Sequence, residues 1–146
     1  MTKSKYTISI ASDHHGVEIK SQIITILKSE QYKLIDLGPY NAEPVDYPDY
    51  AQKLCNNILD NTSEFGILIC GTGIGMSISA NRYSNIRAAL CTNLFMAERA
   101  RAHNDANVLV LGNAVSTPEE SIEITLKFLS TAFEGGRHMK RIAKIR

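Results

Sequence analysis

At 146 residues with a formal net charge of +1, the chain is long enough to bury a sizeable core as one domain, residues 1–146, and too evenly charged to coat nucleic acid. Hydrophobic residues make up 44% and charged residues 21%, an ordinary balance for a soluble globular protein. Three unclustered cysteines, Cys55, Cys70 and Cys91, suit free thiols in a reducing compartment, by default the cytoplasm, better than a disulfide framework. The opening M-T-K-S-K-Y-T-I-S-I has no apolar signal core, and no window approaches the ~18 apolar residues of a membrane span, so no membrane association is expected.

Tyr6 to Ser12 reads as a strand that passes through Asp13-His14-His15-Gly16 into a helix. Val17, Ile19, Ile23, Ile24 and Leu27 form the apolar stripe of that helix, which ends near Ser29. Lys33 to Leu37 is a second short strand closed by Gly38-Pro39, and Val45-Asp46-Tyr47-Pro48-Asp49 supplies the start of a second helix. Ile67-Leu68-Ile69 has the branching of a buried third strand, Ile86 to Cys91 of a fourth and Val108 to Gly112 of a fifth. Asn93 is placed to cap a helix through Ala97, Ala100 and Ala102, and Pro118 to Phe133 is a further helix. Residues 135–146 form a tail helix after a Gly-Gly break. Each strand is followed by a helix, which predicts a doubly wound α/β domain with a five-stranded parallel sheet covered on both faces.

The third strand stops at Cys70, before Gly71-Thr72-Gly73-Ile74-Gly75 and a helix of small residues. Alternating glycines leave backbone N–H groups uncovered and the helix start adds partial positive charge, so the loop suits an anion. The same dipoles favour a thiolate at Cys70, fitting it to act as base or nucleophile. Better-known glycine motifs fail here: a dinucleotide fingerprint needs glycine where Met76 stands, and no lysine follows to make a P-loop. Ligands of such sheets bind beyond the carboxyl ends of the strands, so Asp13, His14, Cys70, Thr72, Thr92 and Asn93 are expected in one crevice.

Each feature has a plainer reading. The glycines can serve a tight turn, a free cysteine can be a small buried hydrophobe, and Asp13 can simply cap its helix. Cys55 and Cys91 are assigned to packing. Arg137, Lys140, Arg141 and Lys144 share one helical face; a solvated basic face is the usual explanation, although guanidinium forks at 137 and 141 suit a phosphate. A nucleic-acid role for that face lacks aromatic interleaving. Histidines 14, 15, 103 and 138 lie on separate segments without C-x-x-C or H-x-x-x-H spacing, so no metal site is expected.

Asp13-His14-x-Gly16, Asp46-Tyr47-Pro48, Cys70 to Gly75, His103-Asn104-Asp105 and Gly135-Gly136-Arg137-His138 together resemble ribose-5-phosphate isomerase of the B type. The resemblance spans nearly the whole chain. It implies a Rossmann-like three-layer α/β/α sandwich and interconversion of ribose 5-phosphate and ribulose 5-phosphate through an enediol, without metal or organic cofactor. By the resemblance Cys70 is the base, and Thr72 with the backbone of Gly71, Gly73, Ile74 and Gly75 stabilises the enediolate; donors so placed are typically worth ~3–4 kcal/mol each. It also implies that His103 and Asp13 open the furanose ring, that Tyr47 and Asn104 contact the sugar, and that His14, Arg137 and Arg141 hold the phosphate. Homodimers or dimers of dimers, each site finished by the neighbouring subunit, are implied as well.

Galactose-6-phosphate isomerase subunits resemble the same fold, but the catalytic one differs at the equivalents of His103 and of Gly135 to His138, and its partner lacks the cysteine. A branch using glutamate as base is set aside by Cys70. Allose 6-phosphate stays open as a substrate, and a noncatalytic phosphate- or nucleotide-binding module stays open as a different class. The chain departs from the family at Ala114, where many members carry arginine.

Overall fold

A computed structural model describes residues 5–145; Met1–Ser4 at the start, and Arg146, the last position of the expected tail helix, lie outside the described residues. Five strands, β1 (Thr7–Ser12), β2 (Lys33–Asp36), β3 (Phe65–Cys70), β4 (Ala88–Leu90) and β5 (Val108–Gly112), pair in parallel in the order β2-β1-β3-β5-β4. The helices are α1 (Val17–Ser29), α2 (Tyr47–Leu59), α3 (Ile74–Ala80), α4 (Leu94–Ala102), α5 (Pro118–Ser130) and α6 (Arg137–Ile142), with one 3-10 turn at His14–Gly16.

Alternation along β3 divides the core. Ile67 and Ile69 face α1, α4 and α5 through Ile23, Ala97, Ala100 and Phe128, whereas Leu68 and Cys70 face α2 and α3 through Leu54 and Met76. All six residues of β3 are buried, as expected of a central parallel strand covered by helices on both sides. The sheet is therefore the middle of three layers, as the sequence predicts.

β1 and β2 are each one residue shorter than expected and β3 begins two residues earlier, at Phe65; three other elements differ for identifiable reasons. β4 is shorter than Ile86–Cys91 because it sits at the sheet edge and pairs only with β5, through Ala88, Ala89 and Leu90. α5 ends at Ser130 instead of running to Phe133, since Thr131 adopts an extended backbone at φ −99° and ψ 127°. The tail helix covers only Arg137–Ile142, after Gly135 and Gly136 at φ +68° and +57°, values that favour glycine and let the chain turn before α6.

Two buried cationic side chains tie neighbouring elements together. Lys20, buried on α1, reaches Asp36 at 2.6 Å, and Asp36 also accepts from the Gly38 N–H at 2.9 Å. Arg101, buried on α4, donates to the Ala106 carbonyl at 2.7 Å and to Asp105 at 2.9 Å, and lies over the Phe65 ring.

Candidate active site

Register places the reactive group. Ser12 pairs with Ile69 across β1 and β3, the Asp13 N–H donates to the Ile69 carbonyl at 2.9 Å, and Cys70 pairs with Gly112 on β5. Asp13 and Cys70 thus leave adjacent central strands side by side, at the ~4.8 Å strand spacing. Cys70 is 5% exposed, against 0% for Cys55 and 1% for Cys91. Burial pushes the thiols of Cys55 and Cys91 up to about 12, so both stay protonated near neutrality.

The loop after Cys70 is held by its carbonyls. The N–H of Asn113 donates to the Cys70 carbonyl at 3.0 Å and that of Ala114 to the Gly71 carbonyl at 2.8 Å. Among the described residues the N–H groups of Gly71, Thr72 and Gly73 have no acceptor, so donors stay available while the backbone is fixed. Gly73 has φ +83°, and a Cβ there would come within 2.5 Å of Leu90. A Cβ on Gly75 would meet the Tyr47 ring at 2.6 Å, which shows how closely Tyr47 lies against the loop. The backbone contact of Ala114 needs no side chain, so the loop is braced whatever residue stands there.

Asp13 serves the plainer role with one oxygen: Oδ1 accepts from the N–H groups of His15 at 2.9 Å and Gly16 at 3.2 Å. Its Oδ2 has no hydrogen-bond partner among the described residues. His14 accepts at Nδ1 from the Val45 N–H at 3.2 Å, an arrangement that leaves the proton of a neutral ring on Nε2, free to donate. Asp13, His14, Tyr47, Cys70, Thr72 and Gly75 therefore gather at the carboxyl ends of β1 and β3.

Thr92 and Asn93 follow β4 at the same end of the sheet, but their side chains are turned to their own helix. Asn93 caps α4 by accepting from the Met96 N–H at 2.8 Å, and Thr92 donates to the Met96 sulfur at 3.4 Å; both are engaged with their own helix at the β4 edge. His103 and Asn104 stand at the other end of the sheet. α4 runs back against the strand direction, and the turn after it is held by Arg87, which precedes β4 and donates from Nε to the Asn104 carbonyl at 3.0 Å. The rise of five-residue β5 alone separates this turn from the Cys70 loop by roughly 15 Å. The tail joins the same corner: the Glu134 N–H donates to the Ala102 carbonyl at 3.0 Å, and Ile142 shares a cleft with Asn104 and Arg87. Arg137 and Arg141 on α6 are therefore grouped with His103 and apart from Cys70 within one chain.

The expected separation of the histidines fails at this corner. His103 and His138 stack at 4.2 Å with 17° between the rings, and Glu134 Oε1 lies 3.8 Å and 3.5 Å from their Nε2 atoms. Burial, then the neighbouring His103 and Arg137, hold His138 below the usual histidine range, with Glu134 acting in the opposite direction. The sequence signal for this cluster is Glu134-x-x-x-His138 across the Gly-Gly break.

Comparison with known proteins settles the family. Residues 8–145 match the family described as Ribose/Galactose Isomerase. The chain belongs to this family. Among its members, ribose-5-phosphate isomerase B of Escherichia coli is 38% identical over 138 residues, covering 94% of this chain and 93% of that protein. The solved ribose 5-phosphate isomerase of Thermotoga maritima superposes with a TM-score of 0.94 at 51% identity, over 96% of this chain and 97% of that one. That of Clostridium thermocellum superposes with a TM-score of 0.94 at 45% identity, over 95% and 94%. The family membership makes the chain a sugar phosphate isomerase with the fold of these enzymes. No helix among the described residues is long and apolar enough to cross a membrane.

Proposed function

We propose that the chain interconverts D-ribose 5-phosphate and D-ribulose 5-phosphate, in the non-oxidative branch of pentose phosphate metabolism, with Cys70 as the base. The observation that carries this reading is the pairing of Cys70 with uncommitted backbone donors at Gly71, Thr72 and Gly73. From the open-chain aldehyde, Cys70 takes the proton of C2. The electrons of the broken C–H bond form the C1=C2 bond, and charge moves onto the oxygen at C1. Thr72 and the amides through Gly75 stabilise that oxygen; the O2 proton then passes to it, and Cys70 returns its proton to C1 as the C2 oxygen becomes the carbonyl of the ketone. Thr72 is exposed and Tyr47 lies against Gly75, which suits both to contact the sugar.

The remaining roles need a second copy. His103, Asn104, Arg137 and Arg141 are remote from Cys70 in the same chain, so we assign ring opening, one sugar contact and two phosphate contacts to the neighbouring copy of a homodimer. Asp13 assists ring opening and His14 meets the phosphate from the near side. Exposed apolar side chains beside the loop and on α4, Ile74, Ile78 and Phe95, supply surface of the kind a second copy covers. Proton transfer and electrophilic donation both come from the chain's own groups, so no cofactor is needed, and the free thiols suit a cytoplasmic setting.

The test is isomerisation of ribose 5-phosphate, with allose 6-phosphate for comparison, by wild type, Cys70→Ala, His103→Gln and a mixture of the two variants. Each variant alone is expected to lose about 10²–10⁴-fold in rate. Refolded together in equal amounts they are expected to regain about one quarter of the wild-type activity, because half the dimers then hold one intact site. Full activity of Cys70→Ala would remove the proposed base; no recovery on mixing would remove the shared site. Retained sugar-phosphate binding without turnover even in wild type would favour a noncatalytic module.

A further inference from the structure

Glu134, His138 and His103 come together for local reasons that have nothing to do with the Cys70 loop. The Glu134 N–H is anchored on the Ala102 carbonyl, one residue before His103, and the His138 N–H donates to Gly135 at 3.2 Å as the chain turns through the two left-handed glycines. This turn brings one carboxylate beside two stacked imidazoles, with a ligand atom from each residue within 4.8 Å of the others. His138 is 6% exposed and its Nε2 has no hydrogen-bond partner; the nearest acceptor, Glu134 Oε1 at 3.5 Å, is beyond good hydrogen-bond range. A buried polar atom without a partner is costly, and most have a reason for persisting.

We propose that Glu134, His138 and His103 bind a transition-metal ion of the zinc class. Zinc–nitrogen and zinc–oxygen distances near 2.0–2.1 Å put the ligand atoms of a tetrahedral site about 3.4 Å apart. The separations of 3.5 Å and 3.8 Å from the carboxylate are close to that edge. The stacked rings, by contrast, aim their lone pairs side by side. His103 is the ring that swings, since its side chain is half-buried whereas that of His138 is enclosed. Two imidazoles and a carboxylate leave a fourth position for water and select zinc, cobalt or nickel over magnesium, which prefers an all-oxygen shell. Arg137, exposed next to the tail glycines, adds a positive charge that opposes the ion and keeps the site from being a permanent structural one.

A second consequence rests on the role proposed above for His103: with Nε2 on the metal that nitrogen can neither take nor give a proton, so zinc inhibits isomerisation and a chelator restores it.

Calorimetric titration of the Cys70→Ala chain with zinc chloride in a non-coordinating buffer tests binding with the reactive thiol removed. One ion per chain is expected, with affinity at least about tenfold weaker in Glu134→Gln and in His138→Gln, no less than the loss seen when an outer-shell partner of a metal is removed. Cobalt is expected to show the intense visible absorption of a four-coordinate site, and magnesium no heat. Glu134 is exposed, so its glutamine variant tests the site even where the His138 variant fails to fold. Absence of zinc binding, or unchanged affinity in Glu134→Gln, overturns the site. Zinc binding as expected with wild-type turnover unaffected upholds the site and overturns the role of His103 instead.

Discussion

At the carboxyl end of β3, the backbone from Gly71 to Gly73 keeps its N–H groups free while the carbonyls of Cys70 and Gly71 are tied to Asn113 and Ala114. At the amino end of β5, the turn from Asn104 to Asn107 is cross-braced by side chains. Arg87 holds the carbonyls of Asn104 and Asp105, Arg101 holds the Asp105 carboxylate and the Ala106 carbonyl, and Asn107 exchanges contacts with Arg87 and Asn85. One end is fixed by backbone and left polar and available; the other is fixed by arginines that have little capacity to spare. The difference teaches where chemistry and where rigidity are placed. A reacting sugar needs unspent donors, and the groups that approach it from elsewhere need a firm mount.

That contrast can be broken most severely at the braced end. Asp105→Ala leaves the buried Arg101 guanidinium without its carboxylate and is expected to cost about 2–3 kcal/mol, at the low side for a buried pair because Asp105 is partly exposed. Denaturant unfolding measures it; a loss under about 0.5 kcal/mol, the level of an ordinary surface change, would show that the brace is redundant.

A smaller effect, and of the opposite kind, is expected at the loop. In Gly75→Ala the new methyl displaces the Tyr47 ring, lowering kcat/KM about tenfold, or about 1.4 kcal/mol of transition-state stabilisation, with the unfolding midpoint nearly unchanged. Equal losses of stability and activity would mean that Tyr47 is packing and not a sugar contact. The mildest probe is alkylation at neutral pH. Iodoacetamide is expected to modify Cys70 alone, because Cys55 and Cys91 are enclosed and their thiols are pushed up to about 12; peptide mapping that found Cys55 labelled first would undo the separation drawn between packing and reactive thiols.

Much of this was legible in the residues. The run Ile67 to Cys70 between glycine-rich and polar neighbours marked the central strand, because a strand covered on both faces must be apolar throughout. Asn93 marked its helix start, and the alternating glycines marked a loop whose backbone a ligand can approach. What stayed hidden was direction. Asp13 and His103 both follow a regular element, but a strand delivers one to the carboxyl end and a returning helix carries the other away, and only the parallel topology decides that. The meeting of His103 with His138 was equally hidden: it depends on where the chain turns at Gly135 and Gly136, not on the interval of 35 positions between them.

The distance between Cys70 and His103 within one chain has a bearing on dose. Where turnover needs both, as proposed, an isolated copy is silent, and output follows the concentration of pairs. Well below the association midpoint, rate then rises with the square of total protein, so that halving the supply of chains removes about three quarters of the flux; well above it, the response becomes linear. The same residue placement means that a well-folded chain lacking both residues would silence any pair it joins, whereas one lacking only Cys70 or only His103 would still complete its partner's cleft.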